Sequence, residues 1–129
     1  MNQVDWKNSA FFEQSEFLCS HTNQEKMDQG FINTLNELRE KFDKPIYITS
    51  GYRDVTHPIE IVKGKGGAHT SGKAVDISVS RKDAYTLLKI AFELQFTGIG
   101  INQKGNSRFI HLDTIESSPD RPRPTIWSY

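Results

Sequence analysis

The sequence predicts a single α+β domain, residues 1–129, with a mainly antiparallel sheet. Two helical patterns and four strand patterns follow one another in the order helix, strand, strand, helix, strand, strand. Neighbouring strands that are joined without a helix favour antiparallel pairing, because a parallel pair needs a long crossover. The length of 129 residues is enough to form one core without disulfides.

Each predicted helix has apolar residues at helical spacing. The first follows Asp28, and its apolar positions are Phe31, Leu35, Leu38 and Phe42. The second begins at Ser80-Arg81-Lys82-Asp83, which resembles a capping box with aspartate in place of glutamate. It continues through Ala84, Leu87, Leu88, Ala91 and Leu94. Both helices therefore have one face suited to the core.

The strand patterns assign each side chain to one face of the sheet. The predicted strands are 46–49, 74–79, 98–101 and 109–114. In the second strand, Val75 and Ile77 face the core and Asp76 faces away from it. In the fourth, the same alternation places His111 with Asp113 on the polar face. The glycines of the third strand permit a bulge or a close backbone approach.

The remaining segments are predicted to be irregular. The arm 1–20 lays its aromatic residues over the core, and 52–68 is a glycine-containing loop. The proline-rich tail 115–129 is expected to be extended and to end in an aromatic core anchor at Trp127.

Composition argues against several classes of function. The 16 lysines and arginines balance the 16 aspartates and glutamates, which disfavours binding to nucleic acid or to an anionic membrane. Cys19 is the single cysteine, so no internal disulfide is possible, and a buried thiol in a reducing compartment is expected. Neither a membrane-spanning run nor a signal peptide is recognisable. We expect a monomer made in the cytoplasm.

The stretch from Gly66 to Ile77 predicts half of a metal site. His69 and Asp76 are separated by Gly72, which favours a turn that brings the two side chains together. If the strands of Asp76 and His111 are neighbours, their Cβ atoms lie about 4.5–5.5 Å apart. Two imidazoles and one carboxylate are typical of a catalytic zinc, although other divalent metals remain possible. The alternative is a hydrogen-bonded network without metal.

Several separated motifs occur in a recognisable order along nearly the whole chain. They are Glu16–Ser20, Ser50-Gly51-Tyr52-Arg53, Gly66-Gly67, His69-x-x-Gly72-x-Ala74-x-Asp76-Ile77, Gly98-Ile99-Gly100, Phe109–Asp113 and Ile126–Tyr129. Together they resemble the zinc D-alanyl-D-alanine carboxypeptidase family of metallopeptidases, especially its small, phage-encoded cell-wall hydrolases. The resemblance implies the α+β fold that is also found in the hedgehog signalling domain.

The resemblance also implies roles for individual residues. His69, Asp76 and His111 would bind one Zn²⁺ ion, and Arg53 would bind the substrate carboxylate or the developing oxyanion. We expect Tyr52 and His57, which lie near Arg53 in the sequence, to contribute to substrate binding. The family's substrates are peptidoglycan stem peptides that contain D-amino acids.

The general base is less clearly indicated. Several branches of the family have an acidic base three residues before the last histidine ligand, where this chain has Arg108. Asp113 is the available substitute. It would either activate the zinc-bound water or orient a ligand, and the sequence leaves both roles open.

The resemblance therefore implies a zinc peptidase that cleaves peptidoglycan stem peptides as a carboxypeptidase or endopeptidase. The absence of a recognisable signal peptide favours a phage lysis enzyme, which would reach the wall after release from the host cytoplasm. The alternatives are a catalytically silent, zinc-containing module that binds the cell wall or serves a structural role, and a virion component that cleaves the wall during entry.

Overall fold

A computed structural model describes residues 3–63 and 66–129 of the chain. Within these residues, three α-helices and a five-stranded, mostly antiparallel sheet form a small α+β domain, which confirms the predicted fold class. Of the predicted arm and loop, residues 1–2 and 64–65 lie outside the described residues. None of the described helices is long and apolar enough to cross a membrane.

The chain order of the elements is α1, β1, α2, β2, α3, β3, β4 and β5. The helices are α1 (Gln29–Phe42), α2 (Pro58–Lys63) and α3 (Arg81–Glu93). The strands are β1 (Tyr47–Ser50), β2 (Ala74–Ser78), β3 (Gly98–Asn102), β4 (Phe109–Asp113) and β5 (Thr125–Ser128). They lie in the order β1-β2-β4-β3-β5, with β5 parallel to β3 and the other pairs antiparallel.

The core lies between the two long helices and one face of the sheet. All four apolar residues that predict α1 are buried, and α3 buries its own apolar stripe. The sheet contributes Val75, Ile77, Ile99, Ile110 and Leu112. Because side chains alternate along a strand, the residues between these positions are directed to the opposite face. That opposite face carries the candidate site.

The start of α3 differs from the predicted capping box. Ser80 occupies the N-cap position, but its side chain makes no capping hydrogen bond. Asp83 instead forms an ion pair with Lys44, in which Oδ1 of Asp83 lies 2.8 Å from Nζ of Lys44. Arg81, the first helical residue, has a φ of 55°. The local sequence pattern was therefore correct for the position of the helix and wrong for its capping.

The irregular segments contain more structure than the sequence predicts. The arm forms two short 3₁₀ helices and buries Phe12 and Phe17, whereas Phe11 is exposed. The predicted loop contains α2, and the tail contributes β5. Trp127, predicted to anchor the core, is half-buried on the polar face of the sheet.

Candidate metal centre

Strand pairing brings two of the predicted ligands together. β2 and β4 are antiparallel neighbours, and Asp76 lies directly opposite His111 in their register. This confirms the expectation that the two strands are adjacent. Both residues lie on the polar face, since their strand neighbours Val75, Ile77, Ile110 and Leu112 are in the core.

A short turn brings His69 to the same place. His69 lies in the 3₁₀ helix Ala68–Ser71, which ends at Gly72 with a φ of 75°. A Cβ atom at Gly72 would also collide with the carbonyl oxygen of Lys26, so the turn requires glycine for two reasons. The Gly72 carbonyl accepts a hydrogen bond from the amide of Asp28 at 2.9 Å, which attaches the turn to the start of α1.

The ring of His69 is oriented by the backbone. Its Nδ1 lies 2.9 Å from the carbonyl oxygen of Gly51. A carbonyl can only accept, so Nδ1 carries the proton and donates it. The lone pair of the neutral ring is then on Nε2, which lies 3.4 Å from Oδ1 of Asp76. His69 therefore offers Nε2 to the site.

The three predicted ligands form a cluster that could hold a metal ion. One ligand atom from each of His69, Asp76 and His111 lies within 4.8 Å of the other two. Oδ1 of Asp76 is 3.1 Å from Nδ1 of His111 and 3.4 Å from Nε2 of His69. Zinc bonds of about 2.0–2.1 Å in a tetrahedron place neighbouring ligand atoms about 3.3 Å apart. These spacings and the donor set fit zinc.

His111 is held between two carboxylates. Its Nδ1 faces Asp76, and its Nε2 lies 2.7 Å from Oδ2 of Asp113. Burial lowers the pKa of His111, but hydrogen bonds to Asp113 and Asp76 outweigh that effect and raise the pKa above its ordinary value. Binding a metal through Nδ1 requires that nitrogen to be free of a proton.

Both carboxylates favour their charged form. Burial raises the pKa of Asp76, but the hydrogen bond from Nδ1 of His111 and the neighbouring His69 ring reverse the effect and hold the pKa below its ordinary range. At Asp113 burial again opposes ionisation, and hydrogen bonds from His111 and Arg123 lower the pKa to about 2. Asp76 is therefore an anionic ligand at neutral pH, and Asp113 is an anionic acceptor.

Asp113 is fully buried behind His111. Besides His111, it accepts hydrogen bonds from Arg123 Nε at 3.0 Å and Nη2 at 2.8 Å, and from the amide of Ile115 at 3.3 Å. A Cβ atom at Gly98 would collide with both Asp113 oxygens. The carboxylate is therefore enclosed by His111, Arg123, Ile115 and Gly98.

Arg53 lies beside the cluster and is held on two sides. Its backbone amide donates to the carbonyl of His69 at 3.1 Å. Its Nη1 lies 3.1 Å from Oε2 of the buried Glu60, and its Nη2 lies 3.3 Å from Oγ of Ser50. The other oxygen of Glu60 accepts from the amide of Gly67 at 2.6 Å. Glu60 thus joins Arg53 to the segment that precedes His69.

The predicted substrate-binding residues line one cavity. Arg53, Tyr52 and His57 border a space of about 290 Å³. The His57 ring accepts a hydrogen bond at Nδ1 from the amide of Ile59 at 3.2 Å, so its proton is on Nε2, 3.2 Å from Oγ of Ser20. A larger cavity of about 550 Å³ lies elsewhere, and the three predicted ligands line neither of these two cavities.

Arg108 is directed away from the three ligands. It lies just before β4, its Nε donates to the carbonyl of Gly105 at 3.0 Å, and it lines the larger cavity. The position that is acidic in several branches of the family therefore contributes a side chain to a different part of the surface.

The sequence model of the family described as Peptidase M15 matches residues 10–113. The chain belongs to this family. It is a family of the zinc D-Ala-D-Ala carboxypeptidase type, which confirms the resemblance found in the sequence. Among curated proteins, none matches the chain.

Membership in the M15 family supports a metallopeptidase, a hydrolase that acts on a peptide. The matched range contains His69, Asp76 and His111 and ends at Asp113. The residues that follow, including Arg123 and Trp127, lie beyond the match although both are at the site.

Several residues around the three predicted ligands were not predicted from the sequence. Arg123 and Glu60 were not singled out, and the ring of Trp127, treated as a core anchor, lies with its centroid 5.1 Å from that of His111. One signal was present for Arg123, because a carboxylate on the apolar strand β4 requires a cationic partner if it is buried. Of the two arrangements that the glycines of β3 permit, a bulge or a close approach, Gly100 has the second, since a Cβ atom there would lie 2.6 Å from Nε1 of Trp127.

Proposed function

We propose that the chain is a zinc-dependent peptidase that hydrolyses peptidoglycan stem peptides, as a D-Ala-D-Ala carboxypeptidase or an endopeptidase of the phage lysis type. The observation that carries this proposal is the convergence of His69, Asp76 and His111 on one point beside Arg53. Membership in the M15 family supports the same chemistry.

His69 through Nε2, Asp76 through Oδ1 and His111 through Nδ1 are the proposed ligands of a single zinc ion. When bound, zinc lowers the pKa of a coordinated water towards about 7 and polarises a carbonyl group. Three protein ligands with a position left for water are typical of catalytic rather than structural zinc sites. The hydrogen bonds from His69 to Gly51 and from His111 to Asp113 fix both rings in orientation.

Arg53 is the proposed anchor for the substrate. Its contacts with Glu60 and Ser50 use two of the five N–H groups of the guanidinium, which leaves donors for a substrate carboxylate or a developing oxyanion. The cavity shared with Tyr52 and His57 is the proposed site for the adjoining part of the peptide.

For Asp113, the contacts support the orienting role over the role of general base. A general base must reach the water that it deprotonates, through a hydrogen bond of about 2.6–3.2 Å. Asp113 is fully buried and engaged with His111, Arg123 and the amide of Ile115. We infer that it fixes His111 rather than accepting a proton from water.

One observation favours a second candidate, a catalytically silent, zinc-containing module that binds the cell wall or serves a structural role. Arg108 occupies the position of the acidic base in several branches of the family and is directed towards Gly105. With Asp113 engaged behind His111, neither residue supports proton transfer from water. The two candidates differ in turnover, and they share the zinc site.

Hydrolysis of purified peptidoglycan tests the proposal. We expect the zinc-loaded protein to release stem-peptide fragments, and a chelator to stop the release until zinc is restored. Mass analysis of the products distinguishes loss of a terminal D-amino acid from internal cleavage. Stoichiometric zinc binding without cleavage would support the silent module instead.

Replacement of Arg53 by lysine should separate substrate binding from metal binding. Lysine keeps the charge but loses the planar fork of donors, so we expect kcat/KM on a stem peptide to fall about 10²-fold. The zinc dissociation constant should stay unchanged, because Arg53 is not a proposed ligand. Steady-state kinetics and a competition assay with a chromogenic chelator measure the two quantities. Unchanged kcat/KM would exclude a direct role of Arg53 with the substrate.

A further inference from the structure

The segment between β4 and β5, residues 114–124, folds back over the candidate site; we call it the tail strap. Ser118 and Arg121 exchange two backbone hydrogen bonds of 3.0 Å, which close a turn within it. Nη2 of Arg121 then donates to the carbonyl of Gly66 at 3.1 Å, three residues before His69. Arg123 donates to Asp113 from the same strap. The strap therefore contacts both ligand-bearing parts of the chain.

Arg123 fixes the Asp113 carboxylate by a two-pronged contact. Nε donates to Oδ1 at 3.0 Å and Nη2 to Oδ2 at 2.8 Å, with 7% of the arginine side chain and 0% of the aspartate side chain exposed. A paired contact of this kind sets the plane of the carboxylate as well as its position. The guanidinium carbon also lies 5.3 Å from the centre of the Trp127 ring, which limits its movement.

The orientation of Asp113 determines that of His111. Oδ2, which accepts from Nη2 of Arg123, also accepts from Nε2 of His111 at 2.7 Å. That contact keeps the Nε2 proton in place and turns Nδ1 towards Asp76. A histidine ligand whose second nitrogen donates to a fixed carboxylate has its tautomer and ring angle preset.

We propose that Arg123 is a positioning residue for His111, acting through Asp113, and that this contact presets Nδ1 for metal binding. The inference rests on the proposed function in taking His111 as a metal ligand. It assigns a role to a residue beyond the range matched by the M15 family. The competing account is that Arg123 only neutralises a buried charge and so supports folding.

Two substitutions distinguish these accounts. Arg123→Met removes the charge and the fork at similar length, and Arg123→Lys keeps the charge but not the fork. The matched control is Arg39→Lys. Arg39 lies on α1, and its guanidinium carbon packs 4.6 Å from the centre of the Phe11 ring. Each protein is examined for zinc affinity by chelator competition and for the visible absorption of its Co²⁺ form.

We expect Arg123→Met to weaken zinc binding about 10- to 100-fold, as removal of such outer contacts typically does, with Arg123→Lys in between. The Co²⁺ spectrum should change in both variants and stay unchanged in Arg39→Lys. On a stem peptide, kcat should fall with little change in KM.

Folded Arg123→Met that retains the wild-type zinc affinity and Co²⁺ spectrum, with only a lower melting temperature, would overturn the inference. If that variant does not fold, Arg123→Lys decides, and an unchanged zinc affinity and Co²⁺ spectrum there would overturn it equally. A wild-type protein that binds zinc but cleaves nothing would contradict the proposed function alone. The metal measurements on the variants would then still test the role of Arg123.

Discussion

Asp76→Ala is expected to abolish hydrolysis and to weaken zinc binding on the order of 10²- to 10³-fold. Structural four-ligand zinc sites have apparent binding free energies of about 10–16 kcal/mol, so one ligand accounts for about 2.5–4 kcal/mol, and each 1.4 kcal/mol is about tenfold. Asp76 is also the proposed ligand whose Oδ1 faces both imidazoles. Its loss removes the negative charge of the proposed ligand set as well as one ligand atom.

The matched control is Asp83→Ala. Asp83 lies in the first turn of α3, and its carboxylate, 47% exposed, is paired with Lys44. An exposed pair of this kind contributes about 0–1 kcal/mol to stability, so we expect normal folding, zinc affinity and turnover. Chelator competition and peptidoglycan hydrolysis measure both variants. Wild-type zinc affinity in Asp76→Ala would remove Asp76 from the ligand set.

The elements that position the ligands could be predicted because they follow simple periodicities. The spacing of Phe31, Leu35, Leu38 and Phe42 matches one face of a helix, and α1 buries all four. Alternation along β2 and β4 assigned Asp76 and His111 to the face opposite the core, and the strand register pairs them directly. Because side chains alternate with a period of two, the register of two paired strands has little freedom once one face must be buried.

The sequence did not predict α2, because that helix has no buried apolar stripe. Its apolar residues Ile59, Ile61 and Val62 are exposed, so the loop interpretation followed from the absence of a core-facing pattern. Local signals for a short helix were present in Pro58, which favours the first helical position, and in Glu60 within the first turn. What Glu60 does is non-local, since it joins Arg53 to Gly67.

The tail, residues 115–129, is predicted to be extended. Its contribution to the site depends on contacts between residues far apart in the sequence. β5 pairs in parallel with β3, which places Trp127 beside Gly100 and against His111. Parallel pairing of a short terminal strand has no periodic signal of its own, because β5 alternates only between half-buried and exposed residues. The tail strap contains two arginines, Arg121 and Arg123, and the sequence does not indicate which of them pairs with Asp113. In the structure the partner is Arg123.

Gly98→Ala is expected to disturb the site without altering any ligand. An added Cβ atom would collide with both carboxylate oxygens of Asp113, which Arg123 and His111 hold in place. Either Asp113 moves and breaks these contacts, or β3 shifts away from β4. Overpacking and loss of a buried ion pair together cost about 3 kcal/mol of unfolding free energy. Zinc affinity should fall about 10- to 100-fold, because His111 loses its fixed acceptor.

Gly105→Ala is the control that separates the collision from the general cost of replacing glycine. Gly105 has a φ of 70°, so alanine is strained there, yet nothing lies within 4 Å of the added carbon. We expect a loss of about 1 kcal/mol in chemical denaturation and no change in zinc affinity. If Gly98→Ala and Gly105→Ala give the same loss of stability and the same unchanged zinc affinity, Asp113 can move without affecting His111. The carboxylate would then be a structural charge, and the orienting role inferred for it would be wrong.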